Sequence, residues 1–231
     1  FGVAPASGTT PNNSAYTGTG SGKIAATVKL TGRVSGRMAA QTPDATVNVT
    51  ITITGVYSGN GQEFAPVTTT FPVNLSQGYA RVSVLNVPVG VNHLVTAEAN
   101  WGSATETVKV IIPLVTADTV TTAVADAAST VVANTAIYHA QQEGIRLADV
   151  PAEEIEKISK AVYQLSATMP YSSMNATDVL AYTAGMDVPA NIMLSPATAT
   201  VVVGETLQFT ASVLDRNDVA MKDTTLTWRS E

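Results

Sequence analysis

Between residues 24 and 115 apolar and polar side chains alternate along the chain. Val47, Val49, Ile51 and Ile53 are separated by Asn48, Thr50 and Thr52. A period of two places one set on each face of a strand, one face buried and one wet. The same spacing recurs at Phe71, Val73 and Leu75, at Ala80, Val82 and Val84, at Val95, Ala97, Ala99 and Trp101, and at Val108, Val110 and Ile112. Turn-forming residues punctuate these runs: Ser58-Gly59-Asn60-Gly61, Gln77-Gly78, Pro88-Val89-Gly90 and Asn100 to Ser103. With a first strand near 24–34, about six strands result, at the spacing of an immunoglobulin-like β-sandwich. The domain expected from this pattern covers residues 23–116.

From Asp118 the period changes. Val120, Ala123, Val124, Ala127, Val131, Ala136 and Ala140 approximate a helical stripe, and Gly144 is a natural stop. A second helix is expected after Pro151, with Glu153, Glu154 and Glu156 at the positive end of its dipole and Ile155, Ile158, Val162 and Leu165 as its apolar face. A third, short helix runs from a cap at Asn175 to Ala184, ended by Gly185. Residues 117–187 therefore read as a helical hairpin plus one short helix, too small to stand alone and expected to pack on a sandwich face or a neighbour.

Residues 188–231 return to strand chemistry, with Leu207, Phe209 and Ala211 alternating inward and Trp228 suited to a slot between two sheets. Residues 1–22, rich in Gly, Ser, Thr, Pro and Asn, have no hydrophobic period and read as a flexible arm. The fold class expected is thus mainly β with an α segment: a sandwich, a helical hairpin and a second, partial sandwich.

Two stretches resemble known families. Ile192-Met193-Leu194-Ser195-Pro196, then Gly204-Glu205-Thr206-Leu207-Gln208-Phe209-Thr210-Ala211, then Asp215-Arg216-Asn217 and Thr227-Trp228-Arg229-Ser230 follow one another in the order of a bacterial immunoglobulin-like domain of the group-2 type, found in intimin-like adhesins. The likeness covers about a fifth of the chain. It implies a sandwich of about seven strands, of which only three or four are present by Glu231. Either the natural chain continues, or strands of another subunit complete the fold. The strand, Val87-Pro88-Val89-Gly90 turn and strand between Gly78 and Ala97 resemble the transthyretin-like and carboxypeptidase-regulatory sandwich modules of bacterial surface proteins. In those modules the turn is structural, so the likeness transfers no active site.

Composition narrows the class. Charged residues make up only 13% of the chain, against about 25% in ordinary soluble domains, while 45% is hydrophobic and the mean hydropathy is +0.18. Small and β-branched residues in place of charges are typical of secreted or surface β-proteins. A net charge of −6 with no basic run argues against nucleic acid. Without cysteine there is no disulfide and no thiolate chemistry. No apolar run reaches the length of about 18 residues that a spanning helix needs. The start at Phe1 fits a processed or shortened chain.

Candidate chemistry is sparse. His93 and His139 fall on unlike elements with no carboxylate at ligand spacing. Glu153, Glu154 and Glu156, beside Lys157 and Lys160, read as a solvated helix face rather than paired acid and base. Asp215, Asn217 and Asp218 offer oxygens suited to calcium, yet the same residues make ordinary hairpin turns. The Gly-rich run Thr17 to Gly22 lacks the preceding strand of a phosphate loop. Asn12, Asn48, Asn74 and Asn175 match N-x-S/T, a chance outcome in so Thr-rich a chain. Tyr138, Tyr163, Tyr171 and Tyr182 offer a partner surface or pack helix on sandwich. No catalytic, metal or cofactor residue is assigned.

The function expected is structural: a non-enzymatic extracellular or bacterial cell-surface protein. A self-assembling subunit of a fibre or appendage joined by strand addition is favoured, with self-association or another surface protein as partner. The alternatives are an adhesin or stalk with its modules as spacers, and a ligand- or carbohydrate-binding module.

Overall fold

The computed structural model describes residues 20–30, 46–74, 79–101, 104–186, 188–222 and 224–229. The chain divides into two compact units, residues 1–179 and 180–231. The flexible-arm reading of residues 1–22 falls almost wholly outside the described residues, as do Leu75 and the Gln77-Gly78 turn.

Among the described residues the first unit contains seven strands: β1 (Ser21–Lys29), β2 (Thr46–Thr54), β3 (Val67–Asn74), β4 (Tyr79–Pro88), β5 (Gly90–Trp101), β6 (Ala104–Val115) and β7 (Val120–Ala125). One sheet has the order β4-β1-β7 and the other β3-β2-β5-β6. All pairs are antiparallel except β1 with β7. The alternation read from the sequence becomes burial. Val49, Ile51 and Ile53 on β2 and Val95, Ala97 and Ala99 on β5 are fully buried, and Val82, Val84, Val108 and Ile112 nearly so. These side chains join Ile24, Ala26 and Val28 of β1 in one cluster that draws on both sheets. Register makes the rows complementary in size: Ile51 opposes Ala97, which opposes Val108. Each buried Val or Ile contributes about 1.5–3 kcal/mol of transfer free energy.

β1 lies between β4 and β7. One feature differs from the sequence expectation: the helical stripe expected from Asp118 is displaced. Residues 120–125 form a strand that runs parallel to β1, with Lys23 opposite Val120 and Val28 opposite Ala125. Ala123 and Ala125 are buried while Val120 is exposed, a period of two. The strand belongs to the sandwich, which extends past the expected boundary at 116.

Asp126 then starts α1 (Ala127–Glu143) through a capping box: its carboxylate accepts from the Ser129 N–H at 2.9 Å, and its own N–H donates to Ser129 Oγ at 2.8 Å. The same turn covers the outer edge of β6 at Lys109. Thr130 Oγ1 accepts from the Lys109 N–H at 2.8 Å, and Ser129 Oγ donates to the Lys109 carbonyl at 2.7 Å. A helix end thereby takes up backbone groups that an edge strand would otherwise leave open to another chain. Gly144, at φ 66°, ends α1 in the left-handed region where a side chain would be strained.

The next helix, α2 (Ala152–Leu165), buries Ile158, Ala161 and Val162 and carries Glu153 and Glu154 in its first turn, as the pattern predicts. It packs against α1. The last helix, α3 (Ala176–Gly185), is capped by Asn175, whose Oδ1 accepts from the Asp178 N–H at 2.9 Å. On α1 the Thr135 hydroxyl is fully buried with no hydrogen-bond partner. Thr135→Val keeps the shape and removes the stranded hydroxyl. Chemical denaturation should show a gain of about 1 kcal/mol; a loss of similar size would mean that the hydroxyl is satisfied.

In the second unit the described residues contain one two-stranded antiparallel sheet, β8 (Pro189–Ser195) with β9 (Thr210–Asp215). Ile192 opposes Val213 and Leu194 opposes Ala211. Val213 is buried, yet every residue of β8 is exposed. Leu207, Phe209 and Trp228, expected to point inward, are 42%, 40% and 59% exposed. Among the described residues no second sheet lies over them within this unit, so alternation alone does not bury them.

Candidate functional site

The two histidines have different fates. His139 is half-buried on α1. His93 is fully buried in the first unit. Its Nε2 lies 2.7 Å from the Pro88 carbonyl and its Nδ1 lies 3.2 Å from the Val91 carbonyl. The edge of Phe64 meets the ring at a centroid distance of 5.1 Å. Room for the ring comes from two glycines: a Cβ on Gly55 would sit 2.6 Å from His93 Nδ1, and one on Gly90 would sit 2.6 Å from Cε1 and 2.4 Å from the Val56 carbonyl. His93 is therefore a polar core residue that ties the β4–β5 turn to the segment after β2.

The helices are fastened at the same end of the sandwich. Asn92 Nδ2 donates to the Val150 carbonyl at 2.9 Å and to that of Leu147 at 3.4 Å. Arg146 forms an ion pair with Asp149 at 2.7 Å and donates to the Gly61 carbonyl. The hydrogen bond from Arg146 holds the Asp149 carboxyl below its usual range. Burial, the largest influence on His93, depresses its pKa, and the two backbone carbonyls oppose the shift.

A depressed folded-state pKa means that His93 is bound to fewer protons in the fold than in the unfolded chain. Its contribution is complete above the unfolded value of about 6.5 and is lost as pH falls from there through the folded value. The Asp149 contribution has the same sign but is lost only in the carboxylate range, near and below about 4. Urea midpoints should therefore drop between pH 7.5 and pH 5 in the wild type and stay flatter in His93→Gln. An equal drop in both proteins would remove His93 as the cause.

The remaining candidates are held by structural partners. Asp215 is buried, and its Oδ1 accepts from the N–H groups of Asn217 at 2.8 Å and Val219 at 3.0 Å. Asn217 Nδ2 donates to the Tyr182 carbonyl at 2.9 Å, and Asn191 Nδ2 donates to Asp218 Oδ1 at 3.4 Å. The three residues weighed for calcium are thus brought together as a satisfied turn, with Asp218 at φ 59°. Burial, then the charge of Asp215, raises the Tyr182 pKa. Glu156 pairs with Lys160 at 3.0 Å on the exposed side of α2. Among the described residues no three His, Asp or Glu side chains form a set that could hold a metal ion. Tyr138 and Tyr171 are half-buried within the first unit, while Tyr163 is 73% exposed. Asn12 and the side chains of Asn74 and Trp101 lie outside the described residues.

One surface is left without a structural explanation. Between Ile192 and Trp228 nine large apolar residues are exposed, against five in the whole described part of the first unit. On β8 they are Ile192, Met193 and Leu194, which make up the middle of a strand with no second neighbour among the described residues. Sequence reasoning placed Leu207, Phe209 and Trp228 inward; only their exposure marks them as surface. No family model, no curated protein and no solved structure matches the chain. No helix of the described residues is long and apolar enough to cross a membrane.

Proposed function

We propose that the chain is a non-enzymatic structural protein of the bacterial surface or extracellular space, and that it acts as a self-assembling subunit of a fibre or appendage. One observation carries the reading: the β8–β9 hairpin presents an exposed apolar strand with no second neighbour among the described residues. A two-stranded sheet is marginal by itself in water and gains stability from added strands or a packed face. Strand addition supplies both, through main-chain hydrogen bonds and alternate side chains. The low charge of 13% favours the same reading, because like chains meet little repulsion.

In this reading residues 188–231 are part of a bacterial immunoglobulin-like domain of the group-2 type, and the first sandwich is a surface module of the transthyretin-like kind. A non-enzymatic role is supported by what the polar residues already do. His93 serves a backbone carbonyl, Asp215 a turn and Glu156 a lysine.

Electron microscopy of the purified chain at several concentrations tests the proposal. Ordered fibres or discrete oligomers are expected, and monomers at every concentration would overturn it. A second reading, a stalk whose modules are spacers, is favoured by the division of the chain into two compact units. Monomers would leave that reading standing.

A further inference from the structure

The buried end of the first unit around His93 is separate from the main core. The apolar cluster that fills the sandwich reaches Phe64, but Val56, Val89, Ala148 and Val150, all buried, lie outside it. The ring sits between the β4–β5 turn and the segment 55–64. Asn92, next to it, holds the carbonyls of Leu147 and Val150. Asn92 is buried at φ 49°, a backbone conformation that persists in a side-chain-bearing residue only where its surroundings hold it. The hold on residues 147–150 therefore depends on the shape of the turn.

The ring has one good partner. The 2.7 Å contact assigns the proton of the neutral ring to Nε2, donating to the Pro88 carbonyl. A second proton goes to Nδ1, where the Val91 carbonyl lies farther off at 3.2 Å. No counter-ion accompanies it. The residues against the ring are Gly55 and Phe64 on one side and Pro88, Gly90 and Val91 on the other, and none of them titrates. The charges nearest in the chain are Glu63, before Phe64, and the pair Arg146–Asp149 on the helical connection. None of them is among the influences on His93, which are burial and the two carbonyls. A cation in this place is taken from water without a partner charge.

The helical segment is fastened to the sandwich at two places. Ser129 and Thr130 hold Lys109 on β6 at the start of α1. The other fastening runs through Asn92 and, at the surface, from Arg146 to Gly61. Gly144 lies between them at φ 66° and carries no side chain to strain when the backbone turns.

We propose that this end of the sandwich is a pH-sensitive latch: when His93 takes up a second proton, the β4–β5 turn opens, Asn92 releases residues 147–150, and the connection between α1 and α2 swings away from β5 about Gly144 while the sandwich stays folded. Opening hydrates the ring and uncovers Ala148 and Val150. The closed form holds fully above the value of a free histidine, about 6.5, and gives way as pH falls from there through the lower value of the buried ring. The latch concerns the first unit alone and does not rest on the self-assembly reading.

Amide hydrogen exchange of the whole chain from about pH 7.5 to about pH 5, corrected for the intrinsic effect of pH, tests this alongside an NMR titration of both histidine rings. Protection at the Asp149 and Val150 amides is expected to fall at least about fivefold, while the amides of β2 keep theirs. The fall should begin near about 6.5 and level off at the pKa that NMR reads for His93. His139→Gln should leave the response in place. His93→Gln keeps a donor for the Pro88 carbonyl but does not titrate, and should abolish it. If His93→Gln fails to fold, the match between the exchange profile and the His93 titration in the wild type decides. Loss of protection in β2 together with Asp149 and Val150 would overturn the latch in favour of cooperative unfolding. Protection that is indifferent to pH, or a response that follows His139 and vanishes in His139→Gln, would overturn it too.

Discussion

Replacing His93 with alanine is expected to cost the first unit about 4 kcal/mol. The ring is fully buried. Its removal opens a cavity walled by Phe64 and by two glycines that have no side chains to collapse into it. It also leaves the Pro88 carbonyl, and the weaker contact at Val91, without a ring nitrogen. A buried group stranded in this way costs about 1–3 kcal/mol and an aromatic-sized cavity about 3–5, with partial relaxation bringing the sum down. Urea unfolding at pH 8, where the ring is neutral in both states, isolates this cost from the pH effect. A loss below about 1 kcal/mol would mean that water refills the site and that His93 is a replaceable plug.

The second large effect is expected from the smallest change. Gly90→Ala places a methyl group 2.4 Å from the Val56 carbonyl and 2.6 Å from the His93 ring. The ring is held by the short Nε2 contact to the Pro88 carbonyl and the Val56 oxygen is backbone, so neither neighbour turns aside easily. A loss of about 3 kcal/mol is expected, at the upper end for overpacking. The two substitutions meet at one ring and should not add. With His93→Ala already present, half of the clash is gone, and the double variant should be more stable than additivity predicts by about 1–2 kcal/mol. Strict additivity in a double-mutant cycle would show that the methyl group is opposed by Val56 alone.

Both predictions concern the end of the sandwich at which the helical segment is fastened. Asn92, next to His93, holds residues 147–150 through two carbonyls, and Arg146 reaches Gly61 in the segment that lies over the β4–β5 turn. Loosening the turn should therefore be felt in the helices. Hydrogen exchange at the amides of Asp149 and Val150 should quicken in Gly90→Ala before it quickens in β2, and simultaneous loss would mark the unit as fully cooperative.

Much of this architecture was legible in the residues themselves. Alternation named Val49, Ile51, Ile53, Val82, Val84, Val95, Ala97, Val108 and Ile112 as core, and all are buried. Wherever one face is wet and the other dry, a period of two leaves a strand a single choice of side. Gly144 and Asn175 announced a helix end and a helix start by local chemistry, a left-handed cap and a side-chain acceptor, which need no distant partner.

What the sequence could not settle depended on distant partners. Val120-Thr121-Thr122-Ala123-Val124-Ala125 fits either period; pairing with β1, nearly a hundred residues earlier, makes it a strand. The Pro88-Val89-Gly90 turn beside His93 was visible, but its buried place also rests on Gly55 and Phe64, remote in sequence, which leave no signal beside the histidine. Leu207, Phe209 and Trp228 carry the pattern of buried residues and are exposed. Periodicity determines which side of a strand is apolar; only tertiary structure decides whether anything lies against it, because burial is a property of two surfaces and a strand's own residues describe just one.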